Sequence, residues 1–130
     1  MNKEIKQRWI NALRSGEYPK TEDCLRDNKG YCCLGVLTDI AIKDGVIEDW
    51  QPRSYSGEER PYAVPDCNVG ESVPFDQDAV LPTKVMEWAE LTEANPFVRI
   101  PGESYSVHIS DPNDNGYSFQ QIADLIEEQL

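Results

Sequence analysis

Histidine is nearly absent from this chain, one residue in 130, and methionine occurs only twice. No apolar run approaches the ~20 residues that a membrane-spanning helix needs, so no membrane association is expected. The opening residues Met1-Asn2-Lys3-Glu4-Ile5 lack the apolar stretch of roughly 7–15 residues that defines a secretory leader. The expected location is therefore a reducing cytoplasm. There Cys24, Cys32, Cys33 and Cys67 are expected to remain thiols, and the adjacent Cys32 and Cys33 are poorly placed to bond each other. Their spacing lacks the Cys-x-x-Cys clamp that pre-forms half a zinc tetrahedron. Also missing are a phosphate-cradling glycine loop, a Gly-x-Ser-x-Gly elbow and a His-Glu-x-x-His pair. Neither a cofactor nor a metal is expected, and no enzyme class is announced.

Positive charge is scarce in one half only. The chain carries 12 Lys and Arg against 24 Asp and Glu, a net charge of -12. Residues 1–65 hold ten basic and eleven acidic residues, whereas residues 66–130 hold Lys84 and Arg99 against thirteen acids. Binding to nucleic-acid phosphates runs on Lys and Arg, so direct DNA or RNA binding is not expected. The length suits one domain over residues 1–130, long enough to bury a core without disulfides or metals.

What is present reads as an α+β domain, mostly helical. About four helices are expected, with a small antiparallel sheet and a long irregular loop near 44–81. Ile5, Trp9, Ala12 and Leu13 share one face of a helix over 3–15, with Gly16 as its stop. Cys33, Val36, Leu37 and Ile40 mark a second helix over 32–43. Gly35 costs that helix about 1 kcal/mol relative to Ala, so close packing against its backbone is expected. Pro82 precedes a third helix over 83–92, which Asn95-Pro96 is expected to end. Ser118 and Gln121 form a capping box for a fourth helix that runs from Phe119 to the end of the chain. Alternation predicts a strand at 105–109 and a weaker one at 98–100, with a further short strand at 62–64. Asp27-Asn28-Lys29-Gly30 predicts a tight turn.

Four groups of residues carry candidate chemistry. Glu87, Glu90, Glu93, Glu103, Asp111, Asp114, Glu127 and Glu128 fall off the apolar stripes or in loops, and are expected to face solvent. Such a surface attracts basic partners, although acidic residues also serve plain solubility. Trp50, Arg53, Tyr55, Arg60 and Tyr62 lie in a segment with little core signal. Aromatic faces stack on bases and Arg reads phosphate, so a nucleotide could bind there; the alternative is that they cover the core and pair with Glu58 and Glu59. Cys32 at a helix start and His108 on a strand suggest a cysteine hydrolase, against the reading of a buried thiol and a surface histidine. Asp111-Pro112-Asn113-Asp114-Asn115-Gly116 matches the first half of a calcium loop. The position that needs a bidentate acid is Ile122, and a helix cap explains the same residues.

Four blocks of the chain have a family likeness. They are Trp9-Ile-Asn-Ala12-Leu13-Arg-Ser15-Gly16-Glu-Tyr18 and Tyr31-Cys32-Cys33-Leu34-Gly35-Val36-Leu37-Thr-Asp39. The others are Leu81-Pro82-Thr-Lys-Val85-Met-Glu87-Trp88-Ala89-Glu-Leu91 and Asn113-Asp114-Asn-Gly116-Tyr-Ser118-Phe119-Gln-Gln-Ile122-Ala123-Asp-Leu-Ile126. In order and in combination they resemble a widespread, uncharacterised family of small proteins encoded by bacteriophages and prophages. The resemblance implies an accessory protein working in the cytoplasm of a bacterial host, and it assigns no residue a role. Residues 44–80 lie outside it. With the charge pattern, it leads to the expectation of a non-enzymatic counter-defence protein that binds and inhibits a host protein, a defence factor such as a nucleic-acid-binding enzyme, through the acidic face. The alternatives are a sponge for a nucleotide immune signal, held by the loop at 50–62, and the cysteine hydrolase.

Overall fold

Helix α1 (Lys3–Arg14) begins where Asn2 Oδ1 accepts the Ile5 N–H at 3.0 Å. Ile5, Trp9, Ile10 and Leu13 form its buried stripe, and the chain leaves through Gly16 at a φ of +77°. The computed structural model describes residues 1–50, 53–55, 58–60 and 80–130.

Helix α2 (Cys33–Lys43) is buried from Cys33 to Ala41 and forms the centre of the core. The Trp9 indole N–H donates to the Cys33 carbonyl at 2.9 Å, so the largest core side chain keeps a partner for its one polar group. The loop before α2 folds over its first turn. Tyr31 bridges Lys20 in parallel and Arg26 in antiparallel sense. Asp27 Oδ1 accepts from the backbone N–H groups of Lys29 and Gly30, which makes the tight turn read from the sequence. The loop passes so close that a Cβ on Gly35 would lie 1.7 Å from the Leu25 carbonyl oxygen. That contact is the backbone packing that a glycine inside a helix implied.

Strands β1 (Arg53–Tyr55) and β2 (Glu58–Arg60) pair antiparallel within the stretch expected to be irregular, with Arg53 opposite Arg60 and Tyr55 opposite Glu58. The strand expected at 62–64 lies outside the described residues. Helix α3 (Thr83–Trp88) is shorter than expected. Glu90 turns left-handed at a φ of +59°, and the Leu91 N–H donates back to the Met86 carbonyl at 3.0 Å, closing the helix well before Asn95-Pro96. The Ala89 carbonyl accepts the Asn2 N–H at 2.9 Å and ties this end to the start of α1.

Strands β3 (Phe97–Arg99) and β4 (Ser106–His108) form a second antiparallel hairpin with Val98 opposite Val107. A short helix, α4 (Ser110–Asp114), follows where no helix was expected. Its Asn113 is fully buried: Oδ1 accepts the Cys33 N–H at 3.1 Å, and Nδ2 donates to the Thr21 carbonyl at 3.1 Å. One amide thus satisfies an orphan donor at the start of α2 and a carbonyl of the preceding loop. Helix α5 (Phe119–Gln129) carries the capping box of Ser118 and Gln121 and buries Phe119, Ile122, Ala123, Leu125 and Ile126. It packs on α1 and β3, while α1, α3 and α4 pack on α2. The α+β expectation holds, with five helices and two two-stranded antiparallel ribbons among the described residues.

Candidate protein-binding face

The β3–β4 hairpin forms because β-branched Val98 and Val107 face each other across the ladder, with Val98 buried. Gly102, at a φ of +90°, supplies the turn, and the Glu103 N–H donates to the Ile100 carbonyl at 3.0 Å. The outer edge of β3 is closed by α5. Gln129 Oε1 accepts the Arg99 N–H at 2.6 Å and Gln129 Nε2 donates to the Arg99 carbonyl at 2.8 Å, a side-chain amide standing in for a strand partner. On the other face of the hairpin Phe97 stacks on His108 with ring centroids 4.2 Å apart. His108 is held there by its Nδ1–H, which donates to the Asn95 carbonyl at 2.7 Å.

Two large apolar side chains are exposed among the described residues, and both belong to this region: Phe97 at 51% and Tyr105 at 58%. Tyr105 lines a groove of about 200 Å³. Its apolar walls come from Ile100, Tyr105, Val107, Pro112 and Tyr117, and its polar rim from Glu103, Asp111 and Asn115. Ile100 also borders a larger open cleft of about 510 Å³ that Arg99, Ser106, Glu128 and Gln129 line. Glu103, Asp111 and Glu128 thus gather around one hairpin.

The other acidic residues are distributed differently. Glu87 and Glu93 are exposed on α3 and in the loop after it. Glu90 accepts from the Asn2 side-chain amide at 2.8 Å. Asp114 Oδ1 accepts the Asp23 N–H at 3.1 Å and the Asn113 amide at 3.0 Å, so it is part of the loop's architecture. Arg14 on α1 reaches Asp124 at 2.7 Å and Glu127 at 2.8 Å. These contacts raise the Arg14 pKa, with the Asp124 hydrogen bond as the larger cause. Glu127 therefore faces a cation from the near-neutral half of the chain.

The aromatic and arginine residues of the loop fall partly within the described residues. Trp50 is half-buried, and its indole N–H donates to Asp39 Oδ1 at 3.1 Å. The Tyr18 hydroxyl donates to Asp39 Oδ2 at 2.6 Å, and Lys43 Nζ lies 3.1 Å from both groups. Burial works against ionisation of Asp39, but the hydrogen bonds from Tyr18, Trp50 and Lys43 prevail and hold its carboxyl below the usual range. Burial raises the Tyr18 pKa, and the Asp39 carboxylate adds to that. Tyr31 meets both Tyr18 and Trp50 edge-on, and the Arg26 guanidinium sits 4.7 Å from the Tyr31 ring centre and 5.5 Å from that of Trp50. Arg53, Tyr55 and Arg60 stand in the β1–β2 register, and Tyr62 lies outside the described residues. Sequence reasoning singled out Trp50 alone from this cluster. The missed signal was Asp39, an acid on an otherwise apolar helix, with Lys43 at i+4.

Cys32 and His108 are each engaged by other partners. Cys32 is 3% exposed, and its Sγ accepts the Gly35 N–H at 3.4 Å as the N-cap of α2. Burial pushes its thiol up to about 12, so it is neutral at physiological pH. The imidazole of His108 is engaged by Asn95 and Phe97 instead. The calcium-loop reading fails for a related reason. Residues 110–114 are helical, the Asn113 oxygen is committed to Cys33, and Ile122 is fully buried. Among the described residues no group of three or more His, Cys, Asp or Glu is placed to hold a metal, and no helix is long and apolar enough to cross a membrane.

A family model described as a domain of unknown function (DUF8296) matches residues 1–130. No curated protein and no solved structure matches the chain.

Proposed function

The chain belongs to the DUF8296 family, whose function is unknown, and on that premise we propose that it is a phage accessory protein that binds and inhibits a host protein, a defence factor, in the bacterial cytoplasm. The observation that carries this reading is the β3–β4 hairpin. Exposed Tyr105 lines one groove with Glu103 and Asp111, and Glu128 lines the cleft that shares Ile100 with it. Aromatic residues concentrate at protein interfaces, and a carboxylate rim favours a basic partner and speeds encounter with it. The phage origin rests on the four sequence blocks.

The test is recovery of the tagged chain from bacteria at about 50 mM and about 500 mM salt, followed by native mass spectrometry. The expected result is one host protein in stoichiometric complex. Its recovery falls with salt and in a variant combining Glu103→Lys, Asp111→Lys and Glu128→Lys. A partner indifferent to both, or no stoichiometric partner at all, overturns the reading.

A second reading, sequestration of a nucleotide signal, draws on the Arg26, Tyr31 and Trp50 cluster and on the opposed Arg53 and Arg60 positions of the β1–β2 register. It predicts a ligand-induced rise in Tm, lost with Arg53→Ala or Arg60→Ala. A set of nucleotide signals that leaves Tm unchanged removes it.

A further inference from the structure

The groove beside β4 has a size and lining that specify what it accepts. A dry cavity of about 150 Å³ holds a benzene ring, and drug-sized ligands occupy about 300 Å³ or more. At about 200 Å³ this open groove accommodates one large aliphatic or aromatic side chain. Its walls at Tyr105, Val107, Pro112 and Tyr117 are mostly apolar, so the inserted group gains by leaving water. Glu103 and Asp111 are exposed at the rim, so whatever enters brings its flanks past two carboxylates.

We propose that this groove takes a single Leu-, Ile- or Phe-like side chain from a partner segment that carries Lys or Arg on either side of it. The inference rests on the reading of the hairpin as a protein-binding face and names the chemistry of its partner. Charge complementarity selects this occupant over a segment of the same chain. Residues 61–79 contain Pro, Val and Phe, but they hold four acids and neither Lys nor Arg, so the rim repels them. A second copy of the chain is disfavoured on the same ground, because each copy carries -12.

The experiment uses the full chain, isotopically labelled, and four blocked peptides: Gly-Lys-Leu-Lys-Gly, Gly-Lys-Phe-Lys-Gly, Gly-Lys-Ala-Lys-Gly and Gly-Glu-Leu-Glu-Gly. Amide shifts are mapped by NMR at millimolar peptide. The Leu or Phe peptide is expected to move the amides of Glu103, Val107, Asp111 and Tyr117, and the Ala and Glu peptides to bind at least about tenfold more weakly. Glu103→Lys with Asp111→Lys is expected to abolish the shifts with a Tm no lower than that of the unaltered chain; should that variant unfold, Glu103→Gln with Asp111→Asn replaces it. Equal binding of the Ala peptide, equal binding of the Glu peptide, shifts mapping elsewhere, or no shifts overturn the proposal. So does sedimentation showing a dimer whose interface is the groove. A host complex that persists while the peptides fail overturns the groove and leaves the acidic face standing; peptide binding without any host complex does the reverse.

Discussion

Gly35 has no room for a side chain, whatever its helix propensity. The Leu25 carbonyl stands where its Cβ would be, and that oxygen belongs to backbone that Cys32 N–H already holds at 3.1 Å. Gly35→Ala is expected to cost about 3 kcal/mol or more through overpacking. Gly16→Ala meets only a left-handed φ in open space, and should cost about 1–2 kcal/mol. Urea unfolding of both variants checks the contrast, and equal losses would refute it. Asp39 makes a second prediction at this scale. Its carboxyl is below the usual range when folded, so its ionised form stabilises the protein above the unfolded value of about 3.9, and that stability is lost as pH falls through the folded value. The stability gap between the native chain and Asp39→Asn should therefore shrink as pH drops below about 4. Urea midpoints measured from pH 3 to pH 7 read it, and a pH-independent gap counts against the assignment.

At the scale of elements, caps decided where helices begin and end. The capping box at α5 is local, three residues apart, and was legible as written. Ser118→Ala is expected to cost about 1 kcal/mol in thermal or urea unfolding, with no change in the slope of the urea transition. The cap of α2 was hidden, because a cysteine is an unusual N-cap and its companion, Asn113, lies 80 residues away from Cys33. Helix α3 ends early because Glu90 adopts a left-handed turn that periodicity alone does not register. Helix α4 falls where Asp111-Pro112-Asn113 has turn composition and too few residues to show a period. Short helices owe their existence to the contacts they make.

At the scale of the molecule, charge that is segregated along the chain is partly mixed in space. Arg14 and Lys6 of α1 lie over the acidic end of α5: Lys6 Nζ donates to the Glu127 carbonyl at 3.1 Å, and Arg14 pairs with Asp124 and Glu127. Such exposed pairs are screened by salt and add little to stability. Repulsion among 24 acids facing 12 bases is the larger effect, so Tm should rise as sodium chloride goes from about 10 to about 300 mM. Scanning calorimetry reads the sign, and a falling Tm would mean that the ion pairs prevail.

Periodicity and composition determined the positions of α1, α2 and α5, the hairpin strands to within a residue or two, the glycine contact at Gly35 and the excess of acid in the second half. These are properties of neighbours in the chain, governed by helix and strand repeats and by turn chemistry. Tertiary structure alone decided which acids remain outward. It joined Asp114 to the loop at Asp23 and Glu127 to Arg14, and brought Glu103 and Asp111 to one groove. It also closed Tyr18 and Trp50 around the local Asp39–Lys43 pair and buried Cys32. Those outcomes depend on how distant segments pack together, and no local repeat in the sequence encodes that path.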